Sequence, residues 1–381
     1  MSDMIITGEV FRWAIDRAGI TDKQLASSLH IKPEKIEALE TGKGNISFRQ
    51  AQKLADVLHV PLGYLFLSTP PKVLTPIADF RTLPGKTEKD VSTNLQDVID
   101  DALRKRDWYR DWRKTEELPS FTFVNSFTPE DNYLLVVNSI RKTLNIPVDF
   151  AKKFNSWDEH LRKFVQTVED AGVIVLQNGI VGNNVYRTLD LEEFRGFTLA
   201  DEYAPLVFLN TKDSIAGRIF TLAHELAHLW TGTSGISNPD INFQNNQIQK
   251  IEKFCNAVAA ELLVSHDLFV SNWISNYDVL DNIQNLAKLF RVSTQVILRK
   301  SYDLEIVTSE EYFTIYQDII DLISENKKKK GGNFYNTFFT RNSKRFTHTL
   351  FSAIASGNIS YLDASRLLNT NPKSIVKAME K

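Results

Sequence analysis

The sequence His224-Glu225-Leu226-Ala227-His228 places two histidines one helical turn apart within an apolar segment. Because positions i and i+4 share one face of a helix, both imidazoles can bind the same metal ion. Glu225 lies one step round the helix, where its carboxylate can reach a water molecule on the metal and act as a general base. The apolar flanks predict a helix packed in a core, and Thr231-Gly232 predicts its end.

A third ligand is available in a second apolar helical run, from Ile251 to Val264. Glu252 stands at its start, and small residues follow on the same helical face, which allows close approach to the first helix. Asn256, one turn later, is expected to hydrogen-bond either a metal ligand or a backbone group. Two histidines and a carboxylate leave one zinc position open for water, as in catalytic sites. The expected ligands of one zinc ion per chain are His224, His228 and Glu252.

Other interpretations of these residues remain open at the level of sequence. Glu261 competes as third ligand, but it points about 180° away from Glu252 on the helix, so only one of them can face the metal. Cys255 either approaches the metal or fills a core position as a small buried thiol. The motif itself is also compatible with an amphipathic helix whose two histidines are hydrogen-bonded beside a surface glutamate.

Composition limits the class of protein. A chain of 381 residues with 43% hydrophobic content can form two or three cores. Its single cysteine excludes a disulfide within the chain and indicates a reducing compartment, so a cytoplasmic location is expected. No apolar run has the length of a membrane span, and no signal-peptide core is found at the N-terminus. The net charge of −2 does not favour a bulk polyanion as partner.

Residues 1–70 predict five short helices. Capping boxes begin the second and fourth helices, at Thr21 and Ser47. Pro33 takes the first position of the third helix, and Pro61 opens the last turn. This order of short helices is similar to the DNA-binding domain of Cro and lambda repressor.

The charges of this N-terminal module are balanced, although phosphate neutralisation supplies most non-specific affinity for DNA. We expect DNA binding from the motif, and the alternative is a helix-turn-helix used for dimerisation or protein contact. The candidate contacts to phosphates and base edges are Lys32, Lys35, Lys43 and Arg49.

Beyond this module, prolines predict an extended linker, followed by helices from about Ser92 to Lys114 and from Phe127 to Leu144. Three short strands are then predicted before the zinc helix, at residues 173–176, 194–199 and 205–210. We expect Leu206 to Asn210 to form a sheet edge that holds an extended substrate by strand addition, with a wholly interior strand as the alternative. Arg218 either binds a substrate carbonyl or anchors the zinc helix.

Two segments carry a family resemblance: Arg218 to Trp230 around the histidines, and Glu252 to Leu263. They resemble the ImmA/IrrE family of metallo-endopeptidases, especially members with an N-terminal lambda-repressor-like helix-turn-helix. Glu193 to Phe197 and Leu206 to Asn210 are weaker signals of the same family. One departure is Val264-Ser265, where the family more often has Met-Pro; it concerns the helix end and not the ligands.

The C-terminal third predicts helices without a catalytic motif. Residues 283–298 and 359–375 each look like another helix-turn-helix pair. The resemblance implies that such elements recognise proteins, and that the first of them holds the substrate repressor. Lys327–Lys330, with Arg341, Lys344 and Arg345, is either a solvated loop or an auxiliary nucleic-acid contact.

The expected fold is predominantly α and multidomain, with a five-helix helix-turn-helix, an α+β zincin-like peptidase domain with a small sheet, and a helical C-terminal region. The predicted function is a transcriptional regulator that combines DNA binding with zinc-dependent cleavage of a repressor-like protein. The alternative is a DNA-binding regulator or antitoxin-like protein whose metal site is regulatory or structural. Expected partners are a DNA operator and the repressor-like substrate, with a homodimer as a further option. The predicted domains are residues 1–70 (helix-turn-helix), 71–150 (linker and helical connector), 151–270 (peptidase) and 271–381 (helical C-terminal region).

Overall fold

The structure is a computed structural model, and it describes residues 4–71, 78–79, 91–237, 246–324 and 334–380. Contacts divide the chain into two units. The first is Met1–Pro76 with Thr87–Ile99, and the second is Ile77–Lys86 with Asp100–Lys381. The structure is predominantly helical with a small sheet, so the predicted fold class is confirmed. The four predicted domain boundaries stay predictions.

The first unit contains the five predicted short helices, the last of them a 3-10 helix. Both predicted capping boxes are formed: the side chains of Thr21 and Ser47 each accept a hydrogen bond from the backbone N–H three residues later. The helices enclose a hydrophobic core of their own, which includes Phe11, Leu39 and Leu54. The elements are β1 (Met4–Ile5), α1 (Gly8–Ala18), α2 (Asp22–Leu29), α3 (Pro33–Glu40), β2 (Asn45–Ile46), α4 (Phe48–Leu58) and the 3-10 helix Leu62–Phe66.

The connecting region agrees in part with the prediction from the sequence. Most of the predicted extended linker lies outside the described residues. The first predicted connector helix is α5 (Thr93–Thr115). The second is α6 (Tyr133–Leu144), which begins later than predicted because the Asn132 side chain caps it by accepting from Leu134 N–H. The Thr128–Asp131 hydrogen bonds form a turn before it.

The sheet of the second unit has five strands in the order β3-β9-β7-β8-β4. Strand β8 lies in the interior of the sheet: it pairs in parallel with β4 and antiparallel with β7, so both of its edges are hydrogen-bonded. The expectation that residues 206–210 bind substrate as an edge strand is therefore wrong. At the opposite end of the sheet, β3 pairs in parallel with β9. The strands are β3 (Ala78–Asp79), β4 (Ile174–Asn178), β7 (Gly196–Leu199), β8 (Leu206–Asn210) and β9 (Gly235–Ser237), with a separate hairpin of β5 (Ile180–Val181) and β6 (Asn184–Thr188).

The α-helices between residues 133 and 324 share a large hydrophobic core with strands β4 and β8 of this sheet. Trp230, fully buried, stacks on Phe123 with ring centroids 4.5 Å apart. The helices are α7 (Trp157–Asp170), α8 (Ile215–Trp230), α9 (Asn246–Leu263), α10 (His266–Asn272), α11 (Val279–Phe290), α12 (Thr294–Asp303), α13 (Ser309–Ser324), α14 (Phe334–Asn342), α15 (Lys344–Ala355), α16 (Tyr361–Leu367) and α17 (Pro372–Met379).

Within the described ranges, no single helix is long and apolar enough to cross a membrane. Ile248–Leu263 and His266–Asn272 reach that length and apolarity only when joined, across a bend of 54°.

Candidate metal centre

The predicted zinc helix is α8, and its local sequence explains its limits. The Ser214 side chain begins it by accepting a hydrogen bond from Gly217 N–H. After Thr231 the chain turns at Gly232, whose positive φ of 67° suits glycine. From Leu222 to Trp230 every residue of α8 is buried, because one side packs on α9 and another on β7 and β8. The histidines of the motif therefore lie inside the protein.

His224, His228 and Glu252 converge at the contact between α8 and α9. One potential ligand atom from each lies within 4.8 Å of the others. The two Nε2 atoms are 3.0 Å apart, and the carboxylate oxygens of Glu252 lie 3.2 Å from His224 Nε2 and 3.3 Å from His228 Nε2. The one-turn spacing on α8 and the early position of Glu252 on α9 produce this convergence.

The outer nitrogen of each imidazole contacts an oxygen. His224 Nδ1 lies 2.9 Å from Asn256 Oδ1, and His228 Nδ1 lies 2.8 Å from Thr233 Oγ1. A hydrogen on Nδ1 can donate to these oxygens, which leaves the Nε2 lone pairs directed toward each other and toward Glu252. This is the usual arrangement of metal-binding histidines, whose second nitrogen is fixed by a hydrogen bond.

The donor set fits a zinc ion. Both carboxylate oxygens of Glu252 are buried and have no hydrogen-bond donor among the described residues, since their contacts with the histidines lack hydrogen-bond geometry. Electron pairs of two nitrogens and a carboxylate would repel one another at these distances unless a cation lies between them. Two imidazoles and one carboxylate are ligands that zinc prefers.

A proton can also supply positive charge to this cluster. Burial acts to lower the pKa of His224, but the neighbouring Glu252 carboxylate outweighs it and raises that pKa. Burial acts to raise the pKa of Glu252, and His224 outweighs it, so the carboxyl pKa lies well below its usual range. The cluster therefore carries a negative Glu252 that requires a cation, whether a metal ion or an imidazolium.

Glu225 lies beside this cluster and is completely buried. Its Oε2 accepts a hydrogen bond of 2.6 Å from the Thr198 hydroxyl on β7, whereas its Oε1 has no partner in the part of the chain that the structure describes. Burial raises the pKa of Glu225. A Cβ at Gly196, also on β7, would lie 3.1 Å from Glu225 Oε1 and only 2.9 Å from Phe208 O, so glycine permits this close packing.

Three residues of the site are absent from the sequence prediction: Gly196, Thr198 and Thr233. Thr198 and Gly196 reach Glu225 only because β7 packs against α8, and nothing local in the sequence indicates that packing. Thr233 lies five residues after His228, just beyond the end of α8, so its closeness to the motif was a usable signal.

The remaining candidates from the sequence do not belong to this cluster of potential ligands. Glu261 accepts hydrogen bonds from His266 N–H and forms a 2.8 Å ion pair with Lys300. Cys255 is fully buried in the core, and burial raises the pKa of its thiol. Arg218 is partly buried on α8, and burial lowers the pKa of its guanidinium.

The four candidate DNA contacts belong to the first unit. Lys32 directly precedes α3, Lys43 follows its end and Arg49 lies near the start of α4, and all three are exposed. Lys35, on α3, is partly buried and donates to Gln50 Oε1 at 3.4 Å. These positions surround the second helix of the predicted helix-turn-helix.

Comparison with known families agrees with this geometry. Residues 184–302 match the peptidase M78 family, described as the IrrE N-terminal-like domain, and residues 11–65 match the helix-turn-helix family. Residues 342–381 match a domain of unknown function (DUF8813). The comparison with curated proteins found no match.

One chain therefore carries a segment similar to helix-turn-helix domains and a segment similar to M78 peptidase domains. This combination matches that of an ImmA/IrrE protein fused to a helix-turn-helix, and the resemblance found in the sequence is confirmed.

Proposed function

We propose that this protein is a DNA-binding transcriptional regulator whose zinc-dependent endopeptidase domain cleaves a repressor-like protein. The observation that carries the proposal is the buried cluster of His224, His228 and Glu252 with Glu225 at its side. Burying this many polar groups is costly unless a metal ion or a reaction uses them. The M78 match and the helix-turn-helix match support the two halves of the proposal.

In this proposal His224, His228 and Glu252 hold one zinc ion. Asn256 and Thr233 fix the rings of the two histidines through their Nδ1 atoms, and thereby aim both Nε2 atoms at the metal. A bound zinc ion supplies Lewis acidity, which polarises a peptide carbonyl and activates water near neutral pH.

Glu225 is the proposed general base. Its Oε1, which has no partner among the described residues, takes a proton from the attacking water and later delivers it to the leaving amine. Thr198 holds Oε2 by its hydroxyl and so fixes the orientation of the carboxylate. Burial raises the pKa of this carboxyl, which makes the carboxylate a stronger base toward water.

DNA binding is assigned to the first unit, with Lys32, Lys35, Lys43 and Arg49 as contacts to phosphates and base edges. Because the module is balanced in charge, few contacts carry its affinity, and binding should be modest without a specific operator. The repressor-like substrate is proposed from the resemblance to the family and not from a feature of the site.

One observation favours a second candidate, a regulatory or structural metal site. His224, Glu225, His228 and Glu252 are at most 3% exposed, so these described side chains offer a peptide almost no surface in this conformation. An enzyme with this site requires an opening movement before cleavage, whereas a structural site requires none.

The test compares wild type with Glu225→Gln. Both proteins should contain about one zinc per chain, because Glu225 is not a ligand. On incubation with purified helix-turn-helix proteins encoded by neighbouring genes, only wild type should give a cleavage product. Loss of the base should lower the rate by at least about 100-fold.

Glu310→Gln makes the same chemical change at an exposed position on α13 and is the matched control. It should retain zinc and full cleavage. Zinc in wild type without cleavage of any tested protein would favour the regulatory or structural site. Full cleavage by Glu225→Gln would contradict the assignment of the base.

A further inference from the structure

Four pairs of α-helices among the described residues share one local geometry. In α1–α2, α2–α3, α11–α12 and α16–α17, a residue with left-handed backbone stands between the two helices, and the second helix begins three residues after it. The left-handed residues are Gly19 (φ 62°), His30 (φ 54°), Arg291 (φ 54°) and Asn369 (φ 49°). The pair α2–α3 forms the predicted helix-turn-helix in the segment that matches that family, so its geometry is the reference for α11–α12 and α16–α17.

The pair α16–α17 matches α2–α3 at several key positions, although α16 is one residue shorter than α2. The same sequence offset relates the two N-caps, Thr21 and Ser360, each of which accepts from the N–H three residues later. It also relates the left-handed residues and the prolines, Pro33 and Pro372, that open α3 and α17. Both of these second helices have 8 residues.

The two second helices are also exposed in the same way. In α3 the fourth and seventh residues, Ile36 and Leu39, are buried; in α17 the corresponding Ile375 and Ala378 are buried. The second and fifth residues of both helices are exposed. In a DNA-binding helix-turn-helix, this outward face of the second helix enters the major groove.

The pair α11–α12 differs because its second helix belongs to the core. Ile297 and Leu298 are fully buried, and Lys300 forms a buried ion pair with Glu261. Helix α12 therefore packs in the core and offers little exposed surface to a partner. Of the two helix pairs in the C-terminal third, α16–α17 is the one that presents a second helix to solvent.

Charge separates the two exposed pairs. The outward face of α3 carries Glu34, Glu37 and Ala38, and the equivalent positions of α17 are occupied by Lys373, Val376 and Lys377. Lys373 and Lys377 are one helical turn apart on one face. Neither has an ion-pair partner among the described residues, so both ammonium groups are available to an external anion.

The turn between α16 and α17 is held by hydrogen bonds to other parts of the second unit. The Asn369 side chain donates to Asp101 Oδ1 at 2.9 Å, and its backbone carbonyl accepts from the Asn183 side chain. Asn342 donates to Leu368 O at 3.4 Å. These contacts anchor the turn within the second unit, while the residues that open α17, Asn371 to Lys373, remain exposed.

We propose that α16–α17 is a second site for double-stranded DNA, in which Lys373 and Lys377 neutralise backbone phosphates and Val376 lies against the groove between them. The site lies in the segment that matches a domain of unknown function and is separate from the N-terminal helix-turn-helix. It does not depend on peptidase activity.

The test measures binding of the full chain to a fluorescein-labelled DNA duplex of mixed sequence by anisotropy, between about 50 and 200 mM salt. Lys373→Ala with Lys377→Ala should weaken binding at least about tenfold and reduce the slope of log K against log salt by about 2. Charge reversal, Lys373→Glu with Lys377→Glu, should weaken it further. The matched control is Lys142→Ala with Lys288→Ala, which removes two exposed lysines from α6 and α11 and should change the slope little.

A second variant, Lys32→Ala with Arg49→Ala, separates this site from the N-terminal module. If DNA contacts both modules, a chain that carries both double substitutions should lose binding in log K by the sum of the two separate losses. An unchanged salt slope in Lys373→Ala/Lys377→Ala, or equal losses in the Lys142/Lys288 control, would overturn the proposal. Lys373, Lys377, Lys142 and Lys288 are all exposed, so the circular dichroism spectra of their variants should equal that of wild type. A difference in DNA binding then reports the loss of contacts and not the loss of fold.

Discussion

The metal centre and the N-terminal helix-turn-helix place their charged residues in opposite environments. Glu225 and Glu252 on α8 and α9 are almost completely buried, whereas Glu34 and Glu37 on α3 are exposed. A buried carboxylate costs several kcal/mol unless a partner compensates it, and an exposed one costs little. Buried polar residues at a fixed spacing are therefore informative about function. Exposed charges cost little, so their presence does not identify a ligand.

This difference explains why the sequence indicates a candidate metal site more sharply than it indicates DNA contacts. The ligand set follows from helical spacing and from the small number of polar residues in two apolar runs. For the helix-turn-helix, the helix order, the caps and the core are equally clear, but neutral overall charge leaves the partner undecided. Predictions that compare buried with exposed groups test this contrast directly.

The largest effect is expected at the buried ion pair of Lys300 and Glu261, which lies outside the metal centre. Lys300→Met should lower the free energy of unfolding by about 3–5 kcal/mol, because the Glu261 charge is left buried and unpaired. The measurement is urea unfolding of the full chain followed by tryptophan fluorescence. The matched control is Arg299→Met, which breaks the exposed ion pair with Asp303 and should cost at most about 1 kcal/mol.

The double variant Lys300→Met/Glu261→Gln should recover much of the loss, since no unpaired charge remains. Equal losses for Lys300→Met and Arg299→Met would show that burial does not separate the two ion pairs. The contrast between buried and exposed charges would then fail for this protein.

The next effect concerns the hydrogen bond that His224 Nδ1–H donates to Asn256 Oδ1. Asn256→Ala should weaken zinc binding by about 10–100-fold, because the His224 ring loses the contact that orients its Nε2. Competition with a chromophoric chelator measures the affinity. Lys253→Ala, at an exposed position on the same helix, is the control and should leave the affinity unchanged. If both variants bind zinc like wild type, the Asn256 contact has no role in holding the metal.

Some elements were outside the reach of sequence reasoning for a physical reason. Strand β9 has three residues and the β5–β6 hairpin bulges, so neither shows a run of alternating polarity. Thr198 reaches Glu225 through the pairing of β7, which depends on sheet order and not on local sequence. Sheet order is a tertiary property that the spacing of residues along one strand does not contain.

The error about β8 is of a different kind, because a signal was present. Leu206-Val-Phe-Leu209 is continuously apolar, and such runs are typical of strands buried on both faces in the interior of a sheet. All five residues of β8 are indeed buried. A half-exposed edge strand would show alternation, so the pattern favoured the interior alternative over substrate binding by strand addition.

The smallest effect is expected in the helix-turn-helix, where single polar groups at the surface contribute little. Ser47→Ala removes the hydroxyl that accepts from Gln50 N–H at 3.3 Å at the start of α4, and should cost about 1 kcal/mol. Hydrogen exchange of the α4 amides in the full chain measures this locally. Lys53→Ala, exposed on the same helix, should change protection by less than about 0.5 kcal/mol. A Ser47→Ala loss as large as that of Lys300→Met would contradict the comparison, because an accessible cap would then matter as much as a buried charge.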